Sequence, residues 1–287
     1  MHDAVALIGF GEAGRAFACP GVAAFDVKVA DPANGPAMIA AFDAAGARGA
    51  SSAADALKRA DLALCLVTAD QALAAARACA PMLRPNAMWI DMNSVAPATK
   101  RAAAAAVEAA GARYVDVAVM APVLPARLAV PLLVAGPHAD AAAAALRGYG
   151  FTHVSVAGAT VGDASAIKMI RSVMVKGLEA LSAECVLAAH RAGVADAVFA
   201  SLDASWKAQD WAARTDYNLD RMLAHGTRRA AEMEEVAKTL EDLGIAPAMT
   251  RATIARQRAL GALGIAPPDG LAAKLAAIEH REEEAAA

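Results

Sequence analysis

Short apolar runs recur along the first half of the chain, each closed by glycine, proline or a polar residue. "AVALIGF" (4–10), "VKVAD" (27–31), "LALCLVT" (62–68), "AMWIDM" (87–92) and "RYVDVAV" (113–119) are too short for buried helices. Most are also too continuous for a half-exposed strand. Such runs predict strands of a parallel sheet covered on both faces. "PLLVAG" (131–136) and "THVSVAG" (152–158) read as later strands of the same sheet. The alanine-rich stretches between them predict the covering helices, with Pro81, Pro85, Pro97 and Gly111 at their edges.

After Gly162 the pattern changes, and nothing further reads as strand. Ile167, Met169, Ile170, Val173, Met174, Leu178, Leu181, Val186 and Leu187 occupy most of the circumference of a helix over about 163–190. A helix apolar nearly all round is expected to be buried between domains or subunits. The predicted fold is α/β: an N-terminal Rossmann-type doubly wound domain (1–160), then an all-α domain (161–287) for substrate and dimerisation. The tail "EHREEEAAA" reads as a solvated, fraying end.

The chain's 287 residues suffice for two domains, and 58% hydrophobic against 20% charged residues is a globular balance. A net charge of −3 offers no basic excess for nucleic acid. No uncharged apolar run approaches the ~18 residues of a membrane span. Cys19, Cys65, Cys79 and Cys185 are scattered without metal-ligand spacing, so no metal is expected and a reducing cytoplasm is. "AFACPG" (16–21) has the look of a lipoprotein cleavage site, but Glu12 and Arg15 interrupt the apolar stretch before it, which argues against export.

Gly9, Gly11 and Gly14 stand in G-x-G-x-x-G spacing directly after the first apolar run. In a strand–loop–helix unit this loop cradles a dinucleotide pyrophosphate. Gly9, Phe10, Gly11, Glu12, Ala13 and Gly14 are therefore the expected cofactor loop. Asp31, 22 positions after Gly9, is the expected partner of the ribose hydroxyls. Pro32, Ala33 and Asn34 follow it without an arginine for a 2′-phosphate, which favours NAD and leaves NADP open. The competing reading is that the glycines shape a turn and Asp31 caps a helix.

"VGDASAIKMIRSVMVKG" (161–177) places Lys168 within the otherwise apolar helix. Ser165, Arg171 and Ser172 share its face, and Lys176 lies two turns on. An unpaired ammonium there is costly. Lys168 must bond to carbonyls or an acid, snorkel to the surface, or line a ligand cavity.

Taken together, Gly9–Gly14, "DMNSVAP" (91–97), "VDVAVMAPV" (115–123) and "VGDASAIK" (161–168) resemble the β-hydroxyacid dehydrogenases in order and spacing. That superfamily includes 3-hydroxyisobutyrate and 6-phosphogluconate dehydrogenases. The similarity covers about the first 190 residues, and "HGTRRAAEMEEVAKTL" (225–240) is similar to a branch of phosphogluconate dehydrogenase-like proteins. The resemblance implies that Lys168 is the general acid–base, its pKa lowered by burial. It implies that Val67, Thr68 and Asn93 line the cofactor groove and that Ser94 meets substrate. Gly162 matches the first glycine of the family's G-x-G-x-x-x-K-x-x-x-N, Ala164 replaces the second, and Ser172 stands for the asparagine. The family's D-A-P-V-S-G-G becomes D-V-A-V-M-A-P from Asp116, so Met120 replaces the serine that holds a carboxylate.

His225, Arg228, Arg229 and Glu232 fall on one helical face. His225 and Arg229, with Arg171, are candidates for an anionic substrate group; Arg228 reads as a solvated partner of Glu232. Trp206, Trp211 and Tyr217 could line a pocket or anchor packing. The expectation is an NAD(P)-dependent dehydrogenase acting on an anionic alcohol, active as a homodimer. An imine reductase and a non-catalytic NAD-binding regulator are the alternatives.

Overall fold

A computed structural model describes residues 4–191, 193–205, 210–242 and 246–286 of the chain. Trp206 and the side chains of Cys185, Leu187 and Trp211 lie outside the described residues. Two compact units divide it, Met1–Met169 and Ile170–Ala287. The boundary thus falls inside a helix rather than before it.

The first unit is a sheet of eight strands: β1 (Val5–Ile8), β2 (Ala23–Phe25), β3 (Arg48–Gly49), β4 (Leu62–Cys65), β5 (Met88–Asp91), β6 (Arg113–Val119), β7 (Leu132–Ala135) and β8 (Val154–Gly158). Their order is β3-β2-β1-β4-β5-β6-β7-β8. Between them run α1 (Glu12–Phe17), α2 (Gly35–Ala44), α3 (Ala53–Leu57), α4 (Ala72–Cys79), α5 (Pro97–Ala109) and α6 (Ala139–Tyr149). Alternate strand residues feed two cores. Val5, Leu7, Leu62, Leu64, Ile90, Val115 and Val117 pack with Met38 and Phe42 of α2 and Leu146 of α6. Ala6, Ile8, Ala63, Cys65, Trp89 and Tyr114 pack with Leu57 of α3, Ala76 of α4 and Val107 of α5. Both faces are covered, which is why the strands read as continuous apolar runs.

Two expectations about the sheet are corrected. The second strand is Ala23–Phe25, and Val27–Ala30 is a 3₁₀ turn in which Val27 is 77% exposed. Asp31 follows that turn and does not end a strand. The sheet is also not wholly parallel, because β7 runs antiparallel to β6. The segment joining them holds only the 3₁₀ turn Arg127–Ala129. Without a crossover helix the chain doubles back instead of returning parallel. The two-residue strand β3 carries no apolar run to announce it.

The long helix α7 spans Asp163–Arg191, and the second unit continues with α8 (Ala195–Ser205), α9 (Trp211–Asp242), α10 (Ala248–Ala262) and α11 (Leu271–Ala286). Its core joins Ala183 and Val186 of α7, Leu219, Met222 and Leu223 of α9, Leu260 of α10, and Leu275 and Ile278 of α11. α7 is not buried all round: Ile167, Ile170, Met174 and Leu181 are between 45% and 64% exposed. No described helix is long and apolar enough to cross a membrane.

α9 and α10 cross where two glycines face each other. A Cβ on Gly226 would lie 2.2 Å from the Gln257 carbonyl oxygen, and one on Gly261 would lie 2.3 Å from the Thr227 nitrogen. Backbone cannot yield as a flexible side chain can, so Gly226→Ala is expected to cost about 1–3 kcal/mol, toward the upper end. Gly177→Ala, in α7 with nothing within 4 Å of the added Cβ, should be neutral or stabilising by up to ~1 kcal/mol. Urea denaturation of the two variants against the parent checks this contrast.

Candidate active site

The glycine loop leaves the carboxyl end of β1. Gly9 has φ +96°, its N–H donates to the Phe25 carbonyl at 2.8 Å, and a Cβ would sit 2.5 Å from the Leu66 oxygen and 3.0 Å from the Val67 nitrogen. A Cβ on Gly14 would meet the Gly9 oxygen at 2.5 Å. Both positions need glycine for the fold. Gly11 differs: its φ is −72° and nothing lies within 4 Å of where its Cβ would be. The protein itself gives no reason for glycine there, and the open space above it fits close approach of a pyrophosphate.

Phe10 can offer a ligand only its backbone, because its ring is fully buried 4.7 Å from that of Phe42. Glu12 is exposed at the start of α1, and Ala13 is half-buried against the core. Val67 is half-buried behind the loop, and Thr68 is exposed before the 3₁₀ turn Ala69–Gln71.

The acid at the end of β2 is Asp26, which the sequence reading passed over. Its Oδ2 accepts the Phe10 N–H at 2.8 Å, and Oδ1 accepts the Lys28 N–H at 3.0 Å. One carboxylate therefore ties the glycine loop to the neighbouring strand. Asp31 is half-buried, and its side chain closes a local turn ahead of α2, whose N-cap is Asn34. It accepts the Asn34 side-chain amide at 2.5 Å and the Ala33 N–H at 2.9 Å, and these bonds hold its carboxyl below the usual range.

At the carboxyl ends of β5 and β6, Asp91 and Asp116 are register partners, and both are fully buried. Lys100, on α5 and also fully buried, lies between them. Its Nζ donates to the Asp91 carbonyl at 2.7 Å, and stands 3.1 Å from Asp91 Oδ1 and 3.4 Å from Asp116 Oδ1. Asp116 Oδ1 has no hydrogen-bond partner among the described residues, and its charge is met by the ammonium alone; the Oδ2 atoms of both aspartates are hydrogen-bonded. Tyr114 Oη donates to Asp91 Oδ2 at 2.7 Å. Asn93 donates its backbone N–H at 3.0 Å and its Nδ2 at 2.7 Å to Asp91 Oδ1. Asp116 Oδ2 accepts the N–H groups of Gly162 and Ser165, each at 3.1 Å, and so caps α7 from across the sheet. Burial, then the Asp91 charge, pushes the Tyr114 hydroxyl well above its ordinary pKa. The same two causes raise the Cys65 thiol, whose sulfur accepts from Asn93 Nδ2 at 3.2 Å.

This network fixes the loop that carries Ser94 and the first turn of the helix that carries Lys168. The two meet: Lys168 Nζ donates to Ser94 Oγ at 2.5 Å, with both residues half-buried. At this contact the Lys168 ammonium meets a hydroxyl. Asn93 is 6% exposed, and its Oδ1 has no partner among the described residues. Met120, half-buried after β6, packs on the small cluster of Ala118, Ala135 and Ala164.

The second unit holds the other predicted substrate residues. Arg171 is exposed and Ser172 buried on α7; His225 is half-buried on α9. Arg229 is enclosed within the helical unit, its Nε without a hydrogen-bond partner among the described residues. It is 4% exposed, and its guanidinium is bonded at 2.5 Å to Glu179, which also accepts from Gln257 at 3.1 Å. Burial lowers the Arg229 pKa and the Glu179 charge opposes that, so its charge is already answered inside the helical unit. Lys176 pairs with Glu232 at 2.7 Å, and Glu232 also holds Arg228, as expected for that arginine. Tyr217 is half-exposed on α9.

Asp26, Lys100 and Tyr114 are the residues that sequence reasoning missed. Asp26 carried a local signal, an acid straight after "VAAF" (22–25). Lys100 and Tyr114 carried none, because their partners lie on other strands.

Residues 4–147 match the NAD-binding domain of 6-phosphogluconate dehydrogenase, and residues 189–260 match a domain of unknown function. No curated protein matches the chain. A conserved hypothetical protein from Sinorhizobium meliloti 1021 is 37% identical over 98% of this chain and 97% of its own, with a TM-score of 0.74. A conserved protein of unknown function, structurally similar to 3-hydroxyacid dehydrogenases, is 29% identical over 89% of this chain and 96% of its own, with a TM-score of 0.68. The 3-hydroxyisobutyrate dehydrogenase of Mycobacterium tuberculosis, solved with L-serine, shares the fold: 17% identity over 96% of this chain and 98% of its own, TM-score 0.69.

The three glycines should separate in experiment. Gly9→Ala and Gly14→Ala are expected to lower the melting temperature, whereas Gly11→Ala should leave it unchanged and weaken NADH binding at least about tenfold, or ~1.4 kcal/mol. Differential scanning fluorimetry and NADH fluorescence titration read the two effects separately. With a matching dinucleotide-domain model over half its length and a 37%-identical relative over nearly all of it, the chain belongs to the β-hydroxyacid dehydrogenase superfamily, in the branch that joins a 6-phosphogluconate dehydrogenase-type NAD-binding domain to a helical domain of unknown function.

Proposed function

We propose that this chain is an NAD(P)-dependent oxidoreductase that transfers hydride between nicotinamide and an alcohol of the hydroxyacid type, with Lys168 as general acid–base. The observation that carries the reading is the Lys168–Ser94 contact of 2.5 Å. It lies beyond the carboxyl end of β5, the edge of the sheet from which the glycine loop also leaves β1 and where ligands of such folds bind.

When bound, the dinucleotide supplies the hydride acceptor, or the donor in reduction. As the neutral amine, Lys168 takes the substrate hydroxyl proton while hydride leaves the same carbon. As the ammonium, it polarises the carbonyl and returns that proton in reduction. Ser94 Oγ accepts from Lys168 and keeps its own O–H to donate to the reacting oxygen. The spare acceptor of Asn93 suits an N–H or O–H of the cofactor. Asp26, at the end of β2, is the residue suited to the ribose hydroxyls, and its charge disfavours a 2′-phosphate; NAD is therefore the preferred cofactor. Met120 and Pro122 replace the donors that hold a substrate carboxylate in relatives, which points to a substrate larger or less polar at that end. The exposed apolar positions of α7 support a homodimer, and the free cysteines Cys19, Cys65 and Cys79 are in keeping with a cytoplasmic setting.

Assays of a 3-hydroxy acid series, from 3-hydroxyisobutyrate to longer-chain and aryl-substituted members and their esters, with NAD and NADP test the reading. Lys168→Ala should lower kcat by about 10²–10⁴ while NADH affinity stays unchanged. Wild-type turnover in that variant would remove Lys168 from the chemistry, and turnover of 1-pyrroline in place of the hydroxy acids would make the enzyme an imine reductase. Asp26→Asn should raise KM for NAD and narrow the preference over NADP, whereas Asp31→Asn should change neither. The opposite pattern would restore Asp31 to the ribose site.

A further inference from the structure

We infer that Lys100 is a positioning residue for Lys168, acting through two arms that start at its buried ammonium. One arm runs from Lys100 to Asp91, which takes two N–H donors of Asn93 and so sets the loop that presents Ser94. The other runs from Lys100 to Asp116, which takes the N–H groups of Gly162 and Ser165 at the first turn of α7 and so sets the helix that presents Lys168. The arms converge on the Lys168–Ser94 contact. Lys100 touches neither Ser94 nor Lys168 in these bonds, and its complete burial keeps it from substrate. A helix cap alone would need only Asp116, and a filled core would need only an apolar side chain at 100. The ammonium adds a common origin for both arms, so loop and helix hold one relative position.

The inference rests on the proposed role of Lys168, but its test does not need turnover. The full-length protein is labelled with [ε-¹³C]lysine, and the Lys168 resonance is assigned by its loss in Lys168→Arg. In Lys100→Met and in Asp116→Asn, the Lys168 signal and its titration midpoint should both move toward those of the exposed Lys28 and Lys58, while cofactor-free melting stays cooperative. Lys274→Met is the control. It removes a lysine that is 3% exposed and paired with Asp216 at 2.8 Å in the second unit, and should leave the Lys168 signal in place. Should Lys100→Met fail to fold, Asp116→Asn decides alone, since its amide oxygen can still accept from the α7 turn. A Lys168 signal unchanged in the folded variants overturns the inference. So do opposite midpoint shifts in the two variants, which would mean that the charges act on Lys168 only through space, or an equal shift in the control. Failure of the hydroxy-acid assays with the expected movement of this signal would sink the proposed reaction and leave the coupling intact.

Discussion

A fully buried lysine between two fully buried aspartates governs the carboxyl edge of the sheet. Asp91 and Asp116 stand side by side on neighbouring parallel strands, where two carboxylates without compensation could not both stay ionised. One ammonium and a ring of N–H and O–H donors make that pairing possible. Such a cluster is weak evidence for stability, since desolvation offsets most of the Coulomb gain. Breaking it is another matter, because removal of one partner from a buried pair costs about 3–5 kcal/mol. The cluster therefore restricts geometry more than it deepens the energy well. That geometry is the placement of Ser94 and the start of α7.

α7 shows the same logic along its length. Its polar residues are answered one by one: Ser165 by the Gly162 carbonyl, Lys168 by Ser94, Lys176 by Glu232, Glu179 by Arg229 and Gln257. A helix with this many apolar positions could slide or rotate against smooth neighbours. Directional partners fix its rotation, first against the sheet's edge within one unit and then against α9 and α10 within the other. The close glycine crossing of α9 and α10 adds a steric lock, since Gly226 and Gly261 leave room for backbone alone.

What could be read from sequence follows from the range of each interaction. β6 is legible to the residue, because an alternation feeding two buried faces leaves an apolar run broken only by Asp116. β2 is misplaced, because its alanines look like helix filler whereas the exposed Val27 and the half-buried Val29 imitate a strand. That one shift puts Asp31, rather than Asp26, at the expected end of the strand. The reversal of β7 was legible in principle, from a connection without a crossover helix, but strand-like composition is the same in either direction. Lys168 stood out as a charge among apolar neighbours. Lys100 did not, because "PATKRAAAAA" (97–106) reads as an ordinary amphipathic surface helix and only the strand register reveals its two acids.

Two departures from the family's pattern become one in three dimensions. Ala164, where the family has the second glycine before the lysine, is buried with Ala118 and Ala135, and Met120, where the family has a serine, packs on that same small cluster. A serine at 120 would bring a hydroxyl against an alanine cluster instead of an apolar side chain. With Pro122, which has no N–H to give, Met120 replaces polar donors with apolar surface. The Lys168–Ser94 contact itself is kept. The proposed reading thus separates chemistry at the reacting carbon from recognition of the substrate's far end, and the sequence departs from the family's pattern most in the segment assigned to the second.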